Sequence, residues 1–585
     1  MNSDEFFLKE ALETQTAGSN LKSKMWVYNQ DNLNASQPTQ IRFICDGFRS
    51  SDKACSLNEA FITLPLVMCY TCDNQLTLPN IQNLDMLTVM KNHINLIESF
   101  SVEIDGQTVC QLTPKINLIN NFKIVQEESY ESMYNNGSFR GFYKDENNYK
   151  IEFFKSKSML GQGITNNNLN QNKGIFERLT NENNFSYVNN ISTDIQNFNA
   201  FYPTIDKLEP MKNTFNRHSN NCYYKYLTAY IKLTDLSDFF MKIPPTRGLN
   251  MNILLNLSTN SVCKLNLGLD NTYKLIESIN VGTSKFTNNT VSNQSLFTSG
   301  ISCANNVIPY TIIAPGNNSW SGNNNILSNS TNTVITIGCY YSSVRSAAFD
   351  QLTLAPNITH QIKYARLYAP MIEYLAEVDL AYFSKNNEKT VLYDDYLYFI
   401  KPAVSTQFNE QLTPSLQNIK SITVIPLLAQ IIGGKHEFEN PFSCCGNTSS
   451  IFDIQEFNVQ LASRNVFQED QHFSVEQFDH EINKNGKIEG NNGMISLYDF
   501  DNLYHYYYVN LERHSPEIDT FGKAVQIKGK LSCVMPDPGT LFTGDFGDIS
   551  GISKGNSLPL DIHSFIAVQR KVVVNCDTGK ITVVL

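Results

Sequence analysis

Apolar and polar residues alternate along this chain in many short segments. Ile41-Arg-Phe-Ile-Cys45, Phe61-Ile-Thr-Leu64, Phe100-Ser-Val-Glu-Ile104 and Ile253-Leu-Leu-Asn-Leu257 are rich in β-branched and aromatic residues and end at clusters of Gly, Asn, Asp or Pro. A period of two sends successive side chains to opposite faces of a pleated strand, so the pattern predicts an all-β chain of short strands. Helical periodicity is sparse. Ser3–Leu12 can form a short amphipathic helix with Phe6, Phe7, Ala11 and Leu12 on one side. Ser474 followed by Gln477 is a capping box, with Phe473 and Phe478 placed to staple it, and it predicts a short helix starting near Ser474. Two stretches rich in Asn, Ser and Gly, residues 164–200 and 280–335, carry little periodicity and read as long surface insertions.

The order of these segments repeats. Ile97-Glu-Ser-Phe-Ser-Val-Glu-Ile104 is followed five residues later by Val109, and Ile454-Gln-Glu-Phe-Asn-Val-Gln-Leu461 five residues later by Val466. Upstream, Ile62-Thr-Leu-Pro65-Leu66 matches Ile422-Thr-Val-Ile-Pro426-Leu427. Two similar strand pairs in the same order and at nearly the same distance predict two copies of one β unit. The copies differ in length: about 130 residues separate Ile104 from Tyr230-Ile-Lys-Leu233, but only about 45 separate Leu461 from Tyr508-Val-Asn-Leu511. The first unit therefore holds the large insertions. The polar run Ser384-Lys-Asn-Asn-Glu-Lys-Thr390 marks the expected boundary, giving an arm over residues 1–20, a first unit over 21–385 and a compact second unit over 386–585.

Composition narrows the function classes. With 585 residues the chain exceeds what one core usually supports. Charged residues make up only 17%, so the polar surface is expected to come from uncharged groups, and Asn alone supplies 70 residues suited to turns and long loops. An AT-rich genome would produce the same bias. The net charge of −11, without a basic run, argues against sequence-specific nucleic-acid binding. The start Met-Asn-Ser-Asp-Glu-Phe-Phe lacks the basic and apolar regions of a secretion signal, and the apolar run Phe61–Cys69 is short and interrupted by Pro65. The chain thus reads as a soluble, cytosolic product without a transmembrane segment. Thirteen scattered cysteines fit reduced thiols better than a disulfide framework.

Catalytic signatures are weak. Cys69-Tyr-Thr-Cys72 lacks the second Cys or His pair that a metal site needs, and Cys444-Cys445 is a vicinal pair in a loop-like setting. Gly161-Gln-Gly163 lacks the third glycine of a dinucleotide loop, and neither a nucleophile elbow nor a P-loop occurs. Asp394-Asp395 could serve a glycosidase only if another carboxylate faced it, and reads as a solvated strand end. Tyr504-His-Tyr-Tyr-Tyr508 could stack sugars or bases; its spacing favours one face in a core and the other against a neighbour. Met159-Leu-Gly-Gln-Gly163 and Ile431-Ile-Gly-Gly-Lys435 resemble sites cut by adenovirus-type maturation proteases. No catalytic, cofactor-binding or metal-binding residue is assigned. Residue types alone leave open a coat protein, a secreted-type β-sandwich carbohydrate-binding protein or glycosidase, and a spike or adhesin.

Four segments carry a resemblance. They are Phe100–Val109 with its Asp105-Gly106 turn; Tyr230–Phe240 followed by Pro244, Pro245, Arg247-Gly248 and Asn252-Ile-Leu-Leu; Tyr508–Arg513 with Ala524-Val-Gln-Ile527; and Phe565–Val584 around Asp577-Thr-Gly-Lys580. Together they resemble the double jelly-roll major capsid proteins of virophages and polinton-like viruses, distant relatives of the adenovirus hexon. The resemblance implies two consecutive eight-stranded antiparallel jelly-roll β-sandwiches, with long loop insertions in the first and a few short helices. It also implies a non-enzymatic homotrimer forming pseudo-hexagonal capsomers in an icosahedral virion capsid, synthesised in the host cytoplasm. Its implied partners are neighbouring capsomers with penton and minor capsid proteins, and it implies no cofactor. A double jelly-roll scaffolding protein would share the pattern.

Overall fold

The structure is a computed structural model. It describes residues 21–33, 39–72, 87–145, 174, 177–178, 181–182, 216–219, 222–258, 262–267, 273–278, 309–313, 333–341, 364–385, 387–404, 406–428, 446, 454–483, 493–502, 504–512, 522–531 and 560–584. The expected helix over Ser3–Leu12, the two protease-like sites, Gly161-Gln-Gly163 and Cys444-Cys445 lie outside these residues.

The first series of strands is β1 (Leu21–Gln30), β2 (Gln40–Ile44), β3 (Ala54–Cys55), β4 (Phe61–Cys72), β5 (Leu87–Met90), β6 (Ile97–Ile104), β7 (Gln107–Cys110), β8 (Asn216–Ser219), β9 (Cys222–Lys232), β10 (Met251–Leu257), β11 (Val262–Leu267), β12 (Tyr273–Ser278), β13 (Tyr310–Ile313), β14 (Thr333–Tyr341) and β15 (Arg366–Tyr374). Eight of them build one sandwich: β1-β15-β4-β9 in one sheet and β2-β10-β6-β7 in the other. Numbered along the chain, those eight pair as 1-8-3-6 and 2-7-4-5, which is the jelly-roll order. The second series is β16 (Glu388–Val404), β17 (Gln407–Leu416), β18 (Ile419–Leu428), β19 (Ile454–Leu461), β20 (Arg464–Asn465), β21 (Tyr507–Asn510), β22 (Lys523–Leu531), β23 (Leu560–Asn575) and β24 (Ile581–Val584). It pairs as β16-β23-β18-β21 and β17-β22-β19-β20, the same order, with β24 added against β23. The repeated sequence pairs are thus equivalent strands: β4 with β18, and β6 with β19.

Local chemistry explains why these residues form these elements. Along β10, Met251, Ile253, Leu255 and Leu257 are buried while the residues between them are partly exposed, the alternation of a strand with one face on a core. Each such side chain contributes roughly 1.5–3 kcal/mol by leaving water. Asp105 and Gly106 both have positive φ, 49° and 77°, so the β6–β7 hairpin closes through the two-residue turn its sequence announces. Proline cannot donate to a ladder. Pro65 sits in β4 between the part paired with β15 (Phe61–Thr63) and the part paired with β14 (Leu66–Cys72), and Pro426 lies in β18 beyond its pairing with β21.

Seven helices matter below: α1 (Ile116–Glu127), α2 (Tyr130–Arg140), α3 (Leu233–Leu236), α4 (Asp238–Lys242), α5 (Ala376–Asp379), α6 (Val475–Asn483) and α7 (Leu497–Asn502). In each sandwich two helices, α1 with α2 and α6 with α7, occupy the connection between the fifth and sixth strands. Helix α6 begins where the sequence predicts, with the Gln477 N–H donating to Ser474 Oγ at 3.4 Å. The Gln477 side-chain amide donates to Glu481 Oε1 at 2.9 Å.

The insertions depart from the sequence reading in two places. Within 280–335, residues 310–313 form β13 on β5, and Thr333 begins β14, which carries the first sheet onward through β11 and β12. Within 164–200, Arg178 is buried rather than on a loop surface, donating to Asp145 Oδ1 at 2.6 Å. No helix among the described residues is long and apolar enough to cross a membrane.

Candidate functional site: the seam between the two rolls

The shared strand order extends to register. Thr63 lies opposite Tyr230 in the first roll, and Thr423 opposite Tyr508 in the second. On the far side, Thr63 faces Arg366, which faces Gln30; Thr423 faces Phe565, which faces Tyr398. Counting two residues back along the first strand of each roll makes Tyr28 and Tyr396 equivalent positions. Both belong to the face of their sheet that points away from their own sandwich core.

These equivalent faces are treated differently. In the second roll the face is covered by helices of the first. The α1 residue Phe122 packs on Tyr506 (4.7 Å between ring centroids), Tyr508 (6.1 Å) and Phe478 (6.3 Å). Lys123, also from α1, stands 5.6 Å from the Tyr396 ring centre and pairs with Asp238 at the start of α4. Burial alone would lower the Lys123 pKa, but the Asp238 carboxylate overrides it and holds the ammonium well above its ordinary value. Side-chain hydroxyls pin the first strand of the second roll to β7 and the segment after it: Tyr393 Oη donates to the Val109 carbonyl at 2.6 Å and Thr113 Oγ1 to the Tyr396 carbonyl at 2.6 Å.

Further along the seam the polar groups are buried and mostly satisfied. Asn121 donates to Asn95 Oδ1 at 2.5 Å and to the Asn117 carbonyl, and accepts from Asn92. Asn95 in turn donates to the Gly446 carbonyl at 2.8 Å, while the Gly446 N–H donates to Asp145 Oδ2 at 2.8 Å. Lys144 pairs with Asp499 at 2.5 Å, and Tyr504 Oη donates to the Asp145 carbonyl at 2.7 Å. Part of the asparagine content is therefore an interior network that ties the rolls together, not the loop surface that composition alone suggested. Buried amides of this kind are costly unless partnered, so they fix one docking geometry.

A second tie joins the first roll to the β23–β24 turn of the second. Arg247 follows α4 and pairs with Asp379 of α5 and, at 3.7 Å, with Asp577 in the β23–β24 turn, and its guanidinium lies 4.1 Å from the Phe383 ring centre. Its N–H donates to the Cys576 carbonyl at 2.7 Å. A Cβ on Gly248 would stand 2.8 Å from the Thr578 carbonyl oxygen, and one on Gly579 2.5 Å from the Gly248 oxygen, so both glycines allow the backbones to meet.

Two expectations from sequence require correction. Asp394-Asp395 is not a solvated strand end: it lies mid-strand in β16, and Asp395 is buried, pairing with Arg570 at 2.8 Å and accepting from the Gln111 N–H. Burial raises its carboxyl pKa to about 6, against the opposing pull of Arg570 and the Gln111 and Tyr396 N–H groups. The Tyr504–Tyr508 cluster does have one face in a core, with Tyr507 against Phe457 and Phe473, but its other side meets α1 of the same chain. Cys69 and Cys72 fall at the end of β4, and the free cysteines Cys45, Cys55, Cys110, Cys339 and Cys576 are buried. Among the described residues no group of three or more His, Cys, Asp or Glu is placed to hold a metal ion. The sequence pattern shows neither α1 nor the pairing of Arg247 with Asp379, and both build the seam.

Comparison with solved structures agrees with this architecture. A chain in the cryo-EM structure of the Sputnik virophage superposes with a TM-score of 0.51, covering 98% of this chain and 90% of that one at 9% identity. The fold is a double jelly roll. The mavirus major capsid protein (TM-score 0.39, 7% identity, 98% and 94% covered) and PBCV-1 VP54 (0.37, 8%, 98% and 99%) are more distant. No family model and no curated protein matches the sequence. At such identity what is shared is the double jelly roll itself, not its surface chemistry.

Proposed function

We propose that this chain is the major capsid protein of an icosahedral virus, three copies forming a pseudo-hexagonal capsomer. The observation that carries the reading is the doubled jelly roll with matched register, locked by a buried seam into one unit. Two rolls held at a fixed angle supply two of the six near-equal positions of a hexagonal tile, and three chains complete it. The reading divides the chain into an arm over residues 1–20, a first roll with insertions over 21–385 and a compact second roll over 386–585. Its role is structural rather than catalytic, since the buried charges described above are spent on docking one roll to the other. Neighbouring capsomers and the penton and minor proteins of the shell are its partners, and the virion capsid, supplied from the host cytoplasm, is its location.

Negative-stain electron microscopy of the full chain expressed alone tests this. Hexagonal particles or closed shells are expected; compact single-chain particles would overturn it. Presence of the chain in purified virions separates a coat from a scaffold that is discarded.

A further inference from the structure

The outer sheet face of the first roll has the same aromatic character as its counterpart in the second, yet the described residues leave half of it uncovered. Phe139 of α2 stacks on Tyr230 at 4.5 Å and meets Phe61 edge-on at 5.4 Å, covering the part over β4 and β9. Towards the edge strand, Phe61 stacks on Tyr368 at 5.2 Å, Tyr368 meets Tyr28 at 5.6 Å, and Trp26 meets Phe61 at 5.6 Å. Trp26 and Tyr28 are each 49% exposed, whereas Tyr396, the equivalent of Tyr28, lies beneath α1 and Lys123. A contiguous aromatic patch on an edge strand marks an interaction surface rather than a solvated face.

Building on the trimeric reading above, we infer that this patch is covered by the α6–α7 region of a second copy's second roll. The argument is the duplication. Within one chain, the helix following the fifth strand of the first roll covers the outer sheet face of the second roll. The corresponding helices of the second roll, α6 and α7, are the elements that repeat the contact on the first roll of the next copy. An interface that repeats head to tail in this way closes a ring instead of pairing two copies face to face. The exposed side chains fit. Leu497 at the start of α7 is 60% exposed, and α6 presents the exposed carboxylate of Glu476. The patch presents Arg366, whose guanidinium lies 4.7 Å from the Tyr28 ring centre. In the contact within the chain the cation over the tyrosine comes from the covering helix as Lys123; here the sheet supplies its own, and the covering helix is acidic instead.

The test uses the full-length chain with a benzophenone amino acid replacing Tyr28. Irradiation is expected to yield a product of twice the chain mass whose crosslinked peptide falls within residues 475–502. In parallel, the Trp26→Arg/Tyr28→Arg variant is expected to keep the wild-type circular dichroism and lose assembly at micromolar concentration, running as the 66.3 kDa chain. If the wild type assembles but the crosslink maps elsewhere, or the double variant assembles as wild type does, this inference falls and the trimeric reading stands. A wild-type chain that is monomeric removes both.

Discussion

The two rolls share strand order, register and even the Thr–Tyr pair on their outer faces, but they differ in what surrounds that frame. The first spends long connections on extra strands and helices; the second joins its strands with fewer additions and receives its outer cover from the first. The difference shows where a duplicated β unit is free to diverge. Core positions such as Ile62 and Ile422, both fully buried, keep their type because a change there opens a cavity. Connections and outer faces diverge because each copy meets a different neighbour.

The comparison can be broken most directly at the seam. Phe122→Ala removes the ring that α1 inserts between Tyr506, Tyr508 and Phe478, and is expected to destabilise the chain by about 3–5 kcal/mol in denaturant unfolding. Gly493→Ala is next. Gly493 has φ of 57°, and a Cβ there would stand 2.1 Å from the Gln126 carbonyl oxygen, so backbone strain and a clash with α1 combine. A loss of about 2–3 kcal/mol and a lowered thermal midpoint are expected. The equivalent tyrosines sharpen the contrast. Tyr396→Ala should cost about 2 kcal/mol, whereas Tyr28→Ala, at an exposed position, should change single-chain stability by about 0.5 kcal/mol or less. Equal effects would mean that the two faces are not treated differently.

A further effect is one of pH. Asp395 has a folded pKa raised from 3.8 to about 6, so between those values the folded chain binds more protons than the unfolded chain. Its contribution to stability therefore falls as pH rises through that window. Asp395→Asn should remove this slope, which thermal midpoints of both proteins between pH 4 and 7 would reveal. An unchanged slope would show that the carboxyl is not the group titrating.

Much of this frame was legible in the sequence because it is written in alternation and turns. The β6–β7 hairpin is announced by Asp105-Gly106, α6 by Ser474 with its flanking phenylalanines, and the duplication by strands that must keep their inward residues. Helix α1 was hidden for a physical reason. Its residues from Ile116 to Val125 are buried all round, so no polar stripe marks a helical period, and it starts after Lys115 in a left-handed conformation without a capping side chain. Helix α2 did carry a signal that was passed over: Ser129 accepts from the Ser132 N–H, and Gly141 closes the helix with φ of 59°. The seam was not legible. Nothing in the spacing of Asn92, Asn95 and Asn121 distinguishes amides that bond to one another in the interior from the asparagines of a loop. Arg247, likewise, gains its meaning only from Asp379 and Asp577, more than a hundred residues away.

The central claim is that a two-roll chain is one third of a six-position ring. Multi-angle light scattering of the purified full-length chain at micromolar concentration tests it most directly. A single species of three times the 66.3 kDa chain mass is the predicted result, and a monodisperse monomer would contradict it.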